Sequence, residues 1–245
     1  MTVVNPMKQT ILITGAARRI GRGIAETLAR TGWNVVVHAH RATAEADALC
    51  AALTADTGAR AWRVAGDLAA VGGPDAVFAA ALAQAGRIDA LVNNAAVFAR
   101  QPLADATAAD FDHQWRVNAL APMMLTQRLA DHLKRRDAVG CAVNLLDQRI
   151  TQPDAMAVPY LVSKKALEAY TLSAALAFAP RLRVNAVAPG AVLPPTDTAA
   201  REAAGEFPLS VRPTVCQVAA AVRFLLEAES TTGQILFVDG GQHLL

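Results

Sequence analysis

The sequence predicts a doubly wound α/β fold of about seven parallel strands with helices on both faces. Seven short apolar runs alternate along 245 residues with longer alanine-rich segments of helical period, and a small-residue turn follows the first run directly. Strand, helix and strand in succession make βαβ units, whose right-handed crossovers give a parallel sheet covered on both sides. No Pro/Gly/Ser-rich linker or break in composition divides the chain, so 1–245 is expected to form one domain.

The strand-like runs lie near 9–14, 34–39, 61–65, 89–92, 141–146, 182–188 and 234–238. The first enters Thr14-Gly15-Ala16-Ala17-Arg18-Arg19-Ile20-Gly21, which opens the first helix. Small residues there let the chain turn sharply and bring backbone N–H groups and the helix N-terminus up to a pyrophosphate. The second run, Val35-Val36-Val37, leads into His38-Ala39-His40-Arg41, where the adenosine ribose of a dinucleotide is usually read. A basic residue there suits the 2′-phosphate of NADP, so Arg41, helped by His40 and Arg18, points to NADP(H).

Gly66-Asp67-Leu68 closes the third run, where Asp67 can accept from an adenine amino group, and Asn93-Asn94-Ala95-Ala96 after the fourth can line the floor under the nicotinamide ribose. Asp147 follows the fifth run, and a helix is expected from about Pro159 to Phe178. Pro189-Gly190 ends the sixth. The segment 191–215, rich in Pro and Thr, reads as a binding loop with at most one short helix.

Composition removes several classes. With 53% hydrophobic and 18% charged residues the chain can bury a large core, and a net charge of +2 gives no basic surface for nucleic acid. No apolar run approaches the roughly 20 residues that span a bilayer, and Met1 to Gln9 lacks an apolar stretch, so a cytoplasmic protein is expected. Cys50, Cys141 and Cys216, with His38, His40, His113, His132 and His243, show no metal-ligand spacing.

The chemistry concentrates in Asp147, Tyr160 and Lys164. Tyr160 and Lys164 stand four apart and so share one helix face. An ammonium near the phenol oxygen favours its ionised form, which would bring the phenol toward use as an acid near neutrality.

Taken together, Thr14 to Gly21, Asp67, Asn93 to Ala95, Asn118, Tyr160, Lys164, Pro189-Gly190 and Val238-Asp239-Gly240-Gly241 resemble the short-chain dehydrogenase/reductase superfamily over nearly the entire chain. The resemblance implies a Rossmann fold. It gives Tyr160 the role of general acid, Lys164 the nicotinamide ribose and the tuning of the tyrosine, and Asn118 a water relay. It implies cofactor contacts from Gly15, Arg18, Arg19, Ile20, Gly21, His40, Arg41, Asp67, Leu68, Asn94, Ala95, Ala96, Tyr160, Lys164, Pro189 and Gly190.

Three positions depart from the commonest pattern: Arg19 replaces the middle glycine of the turn, Asp147 the serine thirteen before the tyrosine, and Ala96 the glycine after Asn-Asn-Ala. A serine hydroxyl can donate to a carbonyl oxygen that gains charge, whereas a carboxylate repels it. Asp147 therefore favours a substrate that bears N–H groups or takes a proton on nitrogen. These departures resemble the pteridine reductases, including bacterial dihydromonapterin and alternative dihydrofolate reductases. That resemblance implies substrate contacts from Arg19, Phe98, Asp147 and Tyr160, with Phe98 as the stacking face, and reduction of a pterin or folate C=N bond.

Two alternatives stay open: a carbonyl or sugar alcohol oxidoreductase in which Asp147 only bonds a hydroxyl, and a protein that binds NADP(H) without turnover. The apolar positions on the Pro159–Phe178 helix exceed one core face, and relatives pair such helices, so a homotetramer is expected.

Overall fold

The computed structural model describes residues 8–193 and 206–245. One parallel sheet of seven strands, β1 (Thr10–Ile13), β2 (Asn34–Ala39), β3 (Ala61–Ala65), β4 (Ala90–Asn93), β5 (Gly140–Leu145), β6 (Leu182–Pro189) and β7 (Ile235–Val238), runs in the order β3-β2-β1-β4-β5-β6-β7. Between the strands lie α1 (Arg19–Arg30), α2 (Thr43–Thr57), α3 (Gly73–Ala85), α4 (Ala108–Trp115), α5 (Ala121–Arg135), α6 (Val158–Ala177) and α7 (Val215–Glu227).

Alternation along the strands sorts the core into two layers. Ile11, Ile13, Val35 and Val37 face α1, α2 and α7, packing with Leu28, Leu49 and Val222. Leu12 and Val36 face the other side, where Phe78 of α3, Leu125 and Leu129 of α5, and Ala174 of α6 cover the sheet. Successive side chains of a strand point to opposite faces, so near-continuous apolar runs are what a sheet buried on both sides requires. The rotation of order occurs at β1, which pairs with both β2 and β4. Loops on either side diverge there and leave a crevice beyond the strand carboxyl ends, the usual ligand position in such sheets.

Two features of the chain are not visible in the sequence pattern. A π-helical turn, Arg116–Leu120, joins α4 to α5 and carries Asn118; such turns are frequent at functional sites. Of the 191–215 loop, only 191–193 and 206–214 precede α7 among the described residues, and the short helix considered there falls largely outside them.

Candidate active site

A cavity of about 830 Å³ opens at the β1/β4 divergence. Its wall includes Gly15, Arg18, Arg19, Ile20, Gly21, His40, Arg41, Asp67, Leu68, Asn94, Ala95, Ala96 and Tyr160, together with His38, Val97, His113 and Val117. The turn that opens it depends on close approach. Gly15 has φ +61°, and a Cβ on Gly21 would fall 2.5 Å from both Asn94 Nδ2 and Gly15 O. Asn94 binds this turn with its amide, which donates to Thr14 O at 2.8 Å and Gly15 O at 3.0 Å.

Arg19 holds φ +54°, a left-handed conformation that costs a side-chain-bearing residue about 1 to 2 kcal/mol. The glycine expected there in the commonest pattern would carry no such strain. In exchange the chain gains a guanidinium at the mouth of α1. Among the described residues neither Arg19 nor Arg41 has an ion-pair partner, whereas Arg18 pairs with Glu45 of α2. The α1 N-terminus has no side-chain cap and no acid in its first turn, whereas Thr107 and Thr214 close full capping boxes on α4 and α7. Bare N–H groups, a positive helix end and unpaired guanidinia fit the phosphates of a dinucleotide. His40 lies on the opposite lip, 3.9 Å from Asp67.

His38, left without a role by the sequence, locks the turn. Its Nδ1 accepts from Gly15 N at 3.2 Å, so Nε2 carries the proton and donates to Gly66 O at 3.1 Å. Burial pushes its pKa down from 6.5 to about 4. Between those values the unfolded chain binds a proton that the folded one refuses, so stability is present above 6.5 and is lost as pH falls toward 4. Denaturant unfolding at pH 7 and pH 4.5 should show this histidine contributing a drop of about 2 kcal/mol. His38→Asn should lose that part of the pH dependence, and an equal drop in both proteins would contradict the assignment.

At the catalytic end, Asp147 ends the β5 connection and caps a 3-10 turn, Gln148–Thr151. Both carboxylate oxygens accept: Oδ1 from Arg149 N at 2.9 Å and Oδ2 from the Tyr160 hydroxyl at 2.9 Å. In this arrangement the carboxyl group serves both neighbours as an acceptor. Burial, then the Asp147 charge and hydrogen bond, hold the phenol well above its ordinary pKa, while Arg149 works against them.

Lys164 corrects the expectation drawn from spacing. It shares the α6 face with Tyr160, but its Nζ donates to Leu145 O at 2.6 Å and lies 5.8 Å from the phenol ring centre. Burial lowers its pKa to about 8, opposed by Asp147. One of the three ammonium N–H groups is thus given to the β5 backbone, while burial and Asp147 hold the phenol above its ordinary range rather than toward neutrality.

Asn118 is fully buried with its amide engaged: Oδ1 accepts from Val97 N at 2.9 Å, and Nδ2 donates to Val97 O at 2.9 Å and Ser163 Oγ at 3.1 Å. It ties the segment after β4 to α6. Phe98 lies outside the cavity wall and meets Tyr160 edge to face at 4.8 Å, with the Arg149 guanidinium 5.2 Å above its ring. Pro189 and Gly190 also stand off the wall. Gly190 N donates to Val238 O at 3.0 Å, and the glycine packs against Asp239. Among the described residues there is no cluster able to hold a metal and no helix long and apolar enough to cross a membrane.

A switch-point cavity with a tyrosine on its wall and a buried lysine one helical turn farther along α6 matches an oxidoreductase of the nucleotide-dependent type. The chain belongs to the short-chain dehydrogenase/reductase family: a family profile described as Enoyl-(Acyl carrier protein) reductase matches residues 15–243. It is 34% identical to pteridine reductase 1 of Leishmania tarentolae, over 98% of each chain. It is also 34% identical to a putative ketoacyl reductase 2 of granaticin polyketide synthase from Streptomyces violaceoruber, again over 98% of each. Among solved structures it is similar to the FolM alternative dihydrofolate reductase 1 of Brucella canis complexed with NADP, at 35% identity, TM-score 0.88, and 97% and 95% coverage.

Proposed function

We propose that this protein uses NADPH to reduce a C=N bond of a pterin or folate. The observation that carries the reading is the Asp147 carboxylate accepting from Tyr160 at 2.9 Å, where a site for a carbonyl oxygen needs a hydrogen-bond donor. A carboxylate beside a phenol suits a heterocycle that presents N–H donors to the acid and a ring nitrogen to the phenol. Likeness to a pteridine reductase and to an alternative dihydrofolate reductase supports the same reading.

The first-turn N–H groups of α1, with Gly15, Ile20 and Gly21, hold the pyrophosphate; Arg41, His40 and Arg18 take the 2′-phosphate; and Asp67, Leu68, Asn94, Ala95, Ala96, Pro189 and Gly190 border the nucleoside ends. Lys164 anchors the nicotinamide ribose. NADPH, once bound, supplies a hydride to a ring carbon. Tyr160 gives the proton to the adjoining nitrogen, Asp147 orients the phenol and accepts from substrate N–H groups, and Asn118 fixes the wall behind them. Arg19 and Phe98 hold the ring, the aromatic face adding about 0.5 to 1.5 kcal/mol beyond area burial when stacked.

The chain works as one domain, and we place it in a homotetramer because Val162, Leu172 and Leu176 of α6 and Phe224 of α7 leave apolar surface exposed. Reduction of a ketone or sugar carbonyl is the second reading, favoured by the carbonyl-acting name of the ketoacyl reductase relative. Cofactor oxidation assayed with dihydrobiopterin, dihydromonapterin, dihydrofolate and folic acid, beside a panel of ketones and sugars, decides between them. Turnover of a dihydropterin with NADPH preferred over NADH is expected. Turnover confined to carbonyls, or equal use of both cofactors, would contradict the proposal.

A further inference from the structure

The Tyr160 phenol faces an electrostatic difficulty. It is buried and bonded to a carboxylate, so a phenolate left behind after proton donation would sit directly against Asp147. Lys164 stands farther off, with its Nζ bonded to Leu145 O and 5.8 Å from the phenol ring centre. The charges that face the pair come from three elements: Asp147, Arg149 and Asp154 from the segment after β5, Arg100 from the connection after β4, and Lys164 from α6. Among these, Arg149 forms an ion pair with the carboxylate. Its Nη1 lies 3.9 Å from Asp147 Oδ2, the oxygen that also accepts the phenol. Its main-chain N–H bonds the other oxygen at 2.9 Å, and its guanidinium lies over Phe98, whose ring abuts Tyr160. Asp154 restrains the same guanidinium at 3.9 Å and is itself 3.6 Å from Arg100, so Arg149 is held in a frame of its own.

We infer that Arg149 is a positioning residue of the proton donor: its guanidinium neutralises Asp147 so that Tyr160 can release its proton beside an acid, and it holds Phe98 against the phenol. The inference rests on the proposed role of Tyr160 and is carried by the approach of Arg149 to both carboxylate oxygens and to Phe98; its opposing influence on the phenol points the same way. A surface arginine paired only with Asp154 would leave the phenol unaffected.

The chain has two tyrosines, so phenolate absorbance in the near ultraviolet, with NADP⁺ bound and the trace of Tyr160→Phe subtracted, reports Tyr160 alone. In Arg149→Gln the ionisation of Tyr160 should move up by about one pH unit or more, a tenfold change in proton affinity. Arg149→Lys, which keeps the charge but not the fork, should recover most of it, and both variants should retain NADPH affinity and unfolding midpoint. An ionisation at the same pH in Arg149→Gln and the unmutated protein, or a phenol that fails to ionise in the unmutated holoenzyme, would overturn the inference. The titration needs no substrate, so a protein that reduces no dihydropterin but shows the shift would remove the substrate reading and leave Arg149 in place. Normal dihydropterin turnover without the shift would do the reverse.

Discussion

Tyr160→Phe should lower kcat/KM for dihydropterin reduction by about 10² to 10⁴, the range that a positioned proton donor contributes. The substitution removes one oxygen. The ring stays edge-on to Phe98 and at the cavity wall, so the NADPH dissociation constant should be unchanged and the fold intact. Asp147 Oδ2 loses the phenol as its donor but keeps Arg149 within 3.9 Å and remains about a fifth exposed to water. The stability change should therefore stay near the cost of one ordinary hydrogen bond, about 1 kcal/mol. Steady-state kinetics beside a binding titration checks this. A variant that loses activity only through a weaker cofactor complex would show that the phenol binds and does not donate.

Asp147→Asn should be nearly as damaging, with a loss of at least about 10² in kcat/KM on dihydropterins. The amide keeps the shape, and its oxygen can still accept from Arg149 N, which preserves the cap on the 3-10 turn. What disappears is the charge and one acceptor: an amide oriented for the cap presents its NH₂ to the phenol and to any substrate N–H. Asp147→Ala adds loss of the cap, worth about 1 kcal/mol, so a gap between the two variants in melting but not in activity would assign the catalytic effect to the charge. Full activity in Asp147→Asn would remove the argument for a pterin.

Much of the fold was legible because each strand is buried on both faces and reads as an unbroken apolar run. β2 and β3 coincide with the runs at 34–39 and 61–65, and α6 starts one residue before Pro159 and ends one before Phe178. The remaining strands shift by a residue or so at their ends, where pairing with a neighbour rather than side-chain character decides the limit. The glycine turn and the polar residues after β2, β3 and β4 were legible as cavity lining because short βα loops keep such groups within a few residues of the strand.

Side-chain partners were harder to read, since they depend on distances across the sheet. The i, i+4 spacing placed Tyr160 and Lys164 on one face but could not reveal that Leu145 O would claim the ammonium. His38 looked like an unassigned strand histidine; only the approach of Gly15 and Gly66 from two other loops gives it work. Arg149 had a signal available, two positions after Asp147 in a chain where that acid is the unusual residue, but its reach back to the carboxylate is a property of the 3-10 turn. The π turn under Asn118 has no compositional mark at all.

The acid beside the phenol should select a nitrogen heterocycle over a ketone. The most direct measurement is the ratio of kcat/KM for dihydrobiopterin to that for the best ketone of the panel, with NADPH, in the unmutated protein and in Asp147→Ser. The account predicts that the ratio strongly favours the pterin and falls by about 10² or more when a hydroxyl donor replaces the carboxylate. A ratio that stays the same in Asp147→Ser, or one that favours the ketone from the start, would contradict it.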